Sequence, residues 1–265
     1  MGHGKLKKFE ENKTFSCLLQ PDGADVARKD EGGLVLVDHP VKGHWNGTVF
    51  PESRPVILEL GCGKGEYVIA LAERNPEYNY IGVDIKGARL WKGAKYVTEH
   101  GLSNAAFLRT RIEFIEAFFG PGEVAGIWLT FSDPQLRKES ARLTSPRFLE
   151  RYRRILCPGG FVRLKTDSRF LYEYSLAVAS GNGLRIAASS ADIYGGTVDG
   201  ADEDEIRDIR EIKTYYEKMS LALGYTIKYL KFGIDRDGAF VSPEFDADYW
   251  RSVEGERPFG YTSVQ

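Results

Sequence analysis

The chain has 265 residues, 42% hydrophobic and 28% charged, which is ordinary globular usage and enough for one sizeable core with short extensions rather than two full enzyme domains. No apolar stretch approaches the roughly 18 residues of a membrane helix, and the N-terminal MGHGKLKKFEENK lacks the apolar core of a secretion signal. Cys17, Cys62 and Cys157 form no close pair, which excludes a disulfide framework or zinc-type spacing and points to the reducing cytoplasm, while a formal net charge of −2 excludes a surface that is basic all over.

In chain order, residues 1–54 form an N-terminal extension, irregular over Pro21 to Arg54; residues 55–234 form one domain; residues 235–265 form an acidic tail. Within the domain, short β-rich runs predict strands at PVILEL (55–60), YNYIGVD (78–84), AAFLRT (105–110), GIWLTF (126–131), FVRLKT (161–166), LRIAASS (184–190) and YTIKYLKFGI (225–234). Between them, helical periodicity predicts helices over 65–75, 87–101, 112–119, 145–156, 168–179 and 214–224. Such alternation implies βαβ units and an α/β fold with a mainly parallel, seven-stranded sheet. Ligands in that fold bind at the carboxyl ends of the strands, here near Gly61, Asp84, Arg111, Asp133 and Asp167.

The first predicted strand of the domain runs into ELGCGKGEY, with glycines at 61, 63 and 65. A dinucleotide G-x-G-x-x-G would need glycine at position 66, where the chain has Glu66, and no G-K-[ST] follows for a phosphate loop. E-x-G-x-G-x-G at a strand-to-helix turn suits a ligand that lies against the backbone without a phosphate, such as S-adenosylmethionine. Glu59 is then placed to meet the ligand's ammonium group. Asp84 closes the next strand nineteen residues after Gly65 and is placed to accept both ribose hydroxyls.

The methyl acceptor is sought at the end of the fourth strand, LTFSDPQLRKES. Asp133-Pro134 is followed by Gln135 and Leu136, so no aromatic is available there to stack on a base. Neither Cys62, in the glycine loop, nor Cys157, in a turn, suits a cysteine nucleophile. From Arg137 to Arg154 seven basic residues (Arg137, Lys138, Arg142, Arg147, Arg151, Arg153, Arg154) stand against only Glu139 and Glu150, which favours a polyanionic substrate over a small molecule. Arg147, Arg151 and Arg154 fall on one helical face opposite Phe148, Tyr152 and Ile155, a pattern that a merely solvated face would also give.

ELGCGKG, IGVD, FSDP, the run RLTSPRFLERYRRILCPGG, KTD and TYYEK together resemble the bacterial tRNA (guanine-N7-)-methyltransferase family, in the family's order and over about Pro55 to Phe232. The resemblance implies a Rossmann-like class I methyltransferase fold with helices on both faces of the sheet, S-adenosylmethionine as methyl donor, and tRNA as substrate, methylated at N7 of a variable-loop guanosine. It implies that Glu59, Gly61, Gly63, Gly65, Asp84, Arg111 and Asp133 line the cofactor, and that Asp133 is also catalytic. Arg137, Asp167, Thr214 and Glu217 would meet the target nucleoside, with Arg151 and Arg154 on the phosphates. The chain departs from the family's F-P-D-P-W-P-K-K at Ser132, Gln135, Leu136 and Arg137, and has Arg111 where the family places an acid; the adenine is therefore expected to rest on backbone groups around Arg109 to Ile112.

Simpler roles are open to several of these residues. Asp133 fits an Asp-Pro turn, Asp167 the N-cap of the following helix, and Thr214 with Glu217 a capping box. The alternative functions are a small-molecule methyltransferase of the same fold and a non-catalytic protein that holds cofactor or RNA. No obligatory protein partner is implied, and a monomer and a homodimer are both compatible with the sequence.

Overall fold

A computed structural model describes residues 3–31 and 33–255; Met1, Gly2, Gly32 and residues 256–265 of the expected tail lie outside the described residues. The chain forms two compact units. One comprises Met1–Thr130 with Arg154–Gly160, and the other Phe131–Arg153 with Phe161–Gln265.

The first unit contains α1 (His3–Asn12), β1 (Leu18–Leu19), α2 (Gly23–Val26), β2 (Ala27–Asp30), β3 (Gly33–Leu36), α3 (Trp45–Thr48, kinked at Gly47), β4 (Val56–Leu60), α4 (Glu66–Arg74), β5 (Asn79–Asp84), α5 (Gly87–His100), β6 (Ala105–Arg109), a 3₁₀ turn at Ile112–Ala117 and β7 (Val124–Thr130). Apart from β2 and β3, its strands run in the order β1-β6-β5-β4-β7 and pair in parallel, with Leu58 opposite both Ile81 and Ile127. VILEL is buried at every position, as befits a parallel strand covered on both faces, which is why it reads as a continuous apolar run rather than an alternating one. Every predicted strand of this unit is present.

Two corrections concern the N-terminal extension. Leu18 and Leu19 form an additional strand opposite Phe107 and Leu108, too short to carry a periodicity. Pro21 to Arg54 is not wholly irregular either, because β2 and β3 make an antiparallel hairpin.

The second unit contains a 3₁₀ turn at Glu139–Ala141, α6 (Pro146–Arg153), the greater part of β8 (Leu156–Thr166), α7 (Arg169–Gly181), β9 (Ile186–Ser190), α8 (Glu203–Glu211), α9 (Tyr215–Ala222), β10 (Lys228–Gly233) and α10 (Ala247–Glu254). Here β10 lies between β8 and β9 and is antiparallel to both. Apart from the β2–β3 hairpin, five strands in the first unit and three in the second make eight where seven were expected, the extra one being β1. Cys157, expected in a turn, instead lies in β8, which begins at Leu156, ahead of the predicted FVRLKT.

The acidic run DGADEDE (199–205) leads into α8, whose first residues are Glu203, Asp204 and Glu205. Asp202 caps α8 by accepting from the Glu205 amide at 2.8 Å, and three acids in the first turn face the positive end of the helix dipole. Glu205 turns inward to Lys231 (2.7 Å), Arg163 (3.2 Å) and the Tyr229 hydroxyl. The tail likewise contains a helix, α10, capped by Asp246 on the Tyr249 amide.

Candidate functional site

In the first unit, β4 ends at Leu60 and the chain turns through Gly61, Gly63 and Gly65 at φ +82°, +58° and +74°, a left-handed conformation that L side chains resist. The three glycines divide by purpose. A Cβ on Gly61 or Gly63 would meet nothing within 4 Å, so the loop presents bare backbone on that side. A Cβ on Gly65 would collide with the Phe107 ring, and the same ring lies 2.8 Å from a Cβ on Gly82 and 2.6 Å from one on Gly93. The third glycine of the motif therefore seats a phenyl ring between α4, β5 and α5.

Asp84, 8% exposed at the end of β5, ties this turn to the next strand: Oδ2 accepts from the Gly63 amide at 3.0 Å and Oδ1 from the Lys86 amide at 2.7 Å. Carboxylate oxygens have lone pairs beyond these two bonds. Glu59 is 3% exposed. Its Oε2 accepts from the Val68 amide at 3.1 Å, and its Oε1 is paired with the Thr130 hydroxyl. Burial, against the pull of these two hydrogen bonds, pushes its pKa up to about 8, so the carboxyl is mostly protonated at neutral pH. Glu59 thereby braces the start of α4 and the end of β7 from inside. Arg111 begins the 3₁₀ turn after β6. Its side chain is 56% exposed and points to Glu113 at 3.5 Å.

In the second unit, Asp133 lies on the exposed turn that follows Thr130. Its Oδ1 accepts from the Gln135 amide at 2.9 Å, an Asx turn, while Oδ2 makes no hydrogen bond among the described residues. Asp167 is not the helix cap; Ser168 is, accepting from the Leu171 amide. Asp167 is buried, with Oδ2 accepting from Ser220 at 2.7 Å. Thr214 caps α9 through the Glu217 amide at 3.2 Å, but Glu217 does not complete the box. Its carboxylate is fully buried between Lys165 (2.8 Å) and the Tyr194 hydroxyl (2.7 Å). Burial outweighs that partner and lowers the Lys165 pKa to about 8. These hydrogen bonds tie Asp167, Thr214 and Glu217 into the frame of the unit. Lys165 escaped the sequence reading, although the K of KTD was in view; only a buried acid opposite it gives it meaning.

The basic run is also sorted by the structure. Arg137, Lys138 and Arg147 are exposed, whereas Arg142 is buried and Arg153 is spent on Glu150 and on the carbonyls of Arg236 and Gly238. The helix predicted over 145–156 ends at Arg153, so Arg154 does not share a helical face with Arg147 and Arg151. It belongs to the first unit, where it pairs with Glu116 at 2.6 Å.

Parallel βα units, a bare glycine turn after β4 and an acid closing β5 define an S-adenosylmethionine-dependent methyltransferase. The profile of a family described as "Putative methyltransferase" matches residues 53–226. A tRNA (guanine-N(7)-)-methyltransferase of Porphyromonas gingivalis is 48% identical over 248 residues, covering 92% of this chain and 97% of its own. The corresponding protein of Bacteroides thetaiotaomicron is 41% identical over 98% of both chains. The chain belongs to the tRNA (guanine-N7-)-methyltransferase family. Among solved structures, the 16S rRNA methyltransferase KamB shares the fold at a TM-score of 0.53 and 15% identity, over 74% of this chain and 91% of that one.

Proposed function

We propose that this protein methylates N7 of a guanosine in the variable loop of tRNA, with Asp133 orienting the base. The observation that carries the reading is the Asp133 carboxylate: exposed, held by its own turn through one oxygen and uncommitted at the other, in a chain of this family. Guanine N7 offers an in-plane lone pair and has no proton to remove, so the site has no need of a strong base. Alignment is the main task, and well-oriented reactants save on the order of 7–11 kcal/mol of barrier. Oδ2 of Asp133 is suited to accept from the N1–H and exocyclic amine of guanine and to stabilise the positive charge that the methylated ring acquires.

The methyl donor fits the first unit's turn. The bare backbone at Gly61 and Gly63 permits close approach, and Asp84 can accept from ribose hydroxyls without giving up its amide partners. S-adenosylmethionine supplies the methyl group as a substituent of a sulfonium. Arg137, with Arg151 and Arg154, contributes to holding phosphates.

N7-methylguanosine is a cationic ring labile to reduction and aniline, so strand scission after incubation with tRNA and donor maps the product. Scission in the variable loop is expected, and turnover should fall by roughly 10²–10³ in a folded Asp133→Ala variant. Methyl transfer to a small molecule, with no tRNA cleaved, would instead establish the small-molecule alternative.

A further inference from the structure

Among the described residues only two other than glycine adopt positive φ, Phe131 at +49° and Gln135 at +48°. They bracket Asp133 at two positions on either side. Non-glycine residues in this region persist only where their surroundings hold them there. On the near side the holding contact is the Phe131 amide donating to the Lys165 carbonyl at 2.9 Å.

On the far side it is Arg142, 3% exposed. Its Nε donates to the carbonyls of Pro134 and Gln135, both at 3.2 Å, and its Nη2 to the carbonyl of Leu136 at 3.2 Å. One guanidinium thus serves three successive peptide groups centred on the left-handed residue. The same group lies over the rings of Phe170 (4.6 Å) and Tyr174 (4.4 Å) on α7. Tyr174 in turn donates its hydroxyl to Glu139 at 2.7 Å, returning to the loop that carries Asp133. Phe245, in the C-terminal segment, packs edge-on against both rings at 5.3 and 5.4 Å.

We propose that Arg142 is a positioning residue: it locks the Gln135 turn and so aims the Asp133 carboxylate, while Phe245 backs the aromatic slot that seats it. The proposal rests on Asp133 being the group that orients the base. The geometry requires arginine. A planar fork with several fixed donors can feed adjacent carbonyls and stack on rings at once, whereas the point charge of lysine cannot do both. Arg142 also differs in kind from the exposed Arg137 and Arg147, because its donors are turned to the chain's own backbone rather than to solvent.

The test uses the full-length protein and the variants Arg142→Lys, Phe245→Leu, Asp133→Asn and the Arg142→Lys/Asp133→Asn double. Arg142→Lys should lower kcat at least tenfold per folded molecule, leave the KM for tRNA and the Kd for S-adenosylmethionine within twofold, and leave the salt dependence of tRNA binding unchanged. Phe245→Leu, which keeps the charge network, should show the same pattern in smaller measure and reports even where Arg142→Lys folds poorly. Since Arg142 acts through Asp133, the double variant should be barely slower than Asp133→Asn alone. An unchanged kcat in Arg142→Lys, a loss confined to KM and the salt slope, or losses that multiply fully in the double variant would each overturn the proposal, the second by making Arg142 a phosphate contact. The Asp133→Asn variant reports separately on the underlying reading: near-normal turnover there removes Asp133 from the mechanism, whatever Arg142→Lys does.

Discussion

Glu59 shows what a single letter conveys and what it withholds. The sequence marks an acid two residues before the glycine turn; it does not say that the carboxyl points inward to Val68 and Thr130. The burial that raises its pKa to about 8 has a thermodynamic consequence. Between the ordinary carboxylate value of 4.5 and about 8 the folded protein holds a proton that the unfolded chain has lost, so this group favours the fold most below 4.5, and that advantage declines as pH rises to about 8. The total is on the order of a few kcal/mol. Replacing Glu59 with Gln, which keeps the shape and cannot ionise, should flatten the fall of Tm with pH between about 5 and 8 in thermal melts. An identical slope in both proteins would mean that Glu59 titrates normally. Asp84 was easier to read, because its position at the end of a strand already fixed which way its neighbours lay.

At the level of elements, the seven long strands were legible because each is a run of apolar or β-branched residues bounded by turn formers. The elements that escaped were those with another signature: β1 has two residues, β2 and β3 are largely exposed, and α8 and α10 are announced by acidic caps rather than by an apolar stripe. The glycine turn between β4 and α4 was recognised, but its division of labour was not, since Phe107 lies 42 residues beyond Gly65 in the sequence. That division predicts two distinct failures. Gly65→Ala combines left-handed strain with overpacking against the ring and should destabilise the fold by about 1–3 kcal/mol more than Gly61→Ala, which suffers the strain alone. Gly61→Ala should instead lose more affinity for S-adenosylmethionine for a given loss of stability. Denaturant titration and calorimetry on the two variants separate these effects, and equal stabilities would show that the ring can move aside.

For the whole molecule, the near-neutral net charge left the basic run Arg137 to Arg154 as the main indication of a polyanionic substrate, and the fold shows that the count of seven overstates what faces outward. Arg142 and Arg153 serve the protein itself, Arg154 shares its charge with Glu116, and Arg137, Lys138 and Arg147 stand exposed. If two of these exposed arginines each neutralise one phosphate, the double variant Arg137→Gln/Arg147→Gln should reduce the slope of log K against log salt by about 1.4–1.8 and leave cofactor binding unchanged. A slope that does not move would place the tRNA on another surface. The seat of Phe107 has a consequence on the time scale of descent. Because one ring makes Gly65, Gly82 and Gly93 a single steric unit, a lineage that abandoned catalysis would still be selected to keep all three for its folding. A surviving Gly65 in some distant descendant would then testify to the ring beneath it, whereas Gly61 and Gly63, where a side chain would meet backbone strain but no neighbour, would more readily record whether methyl transfer continues.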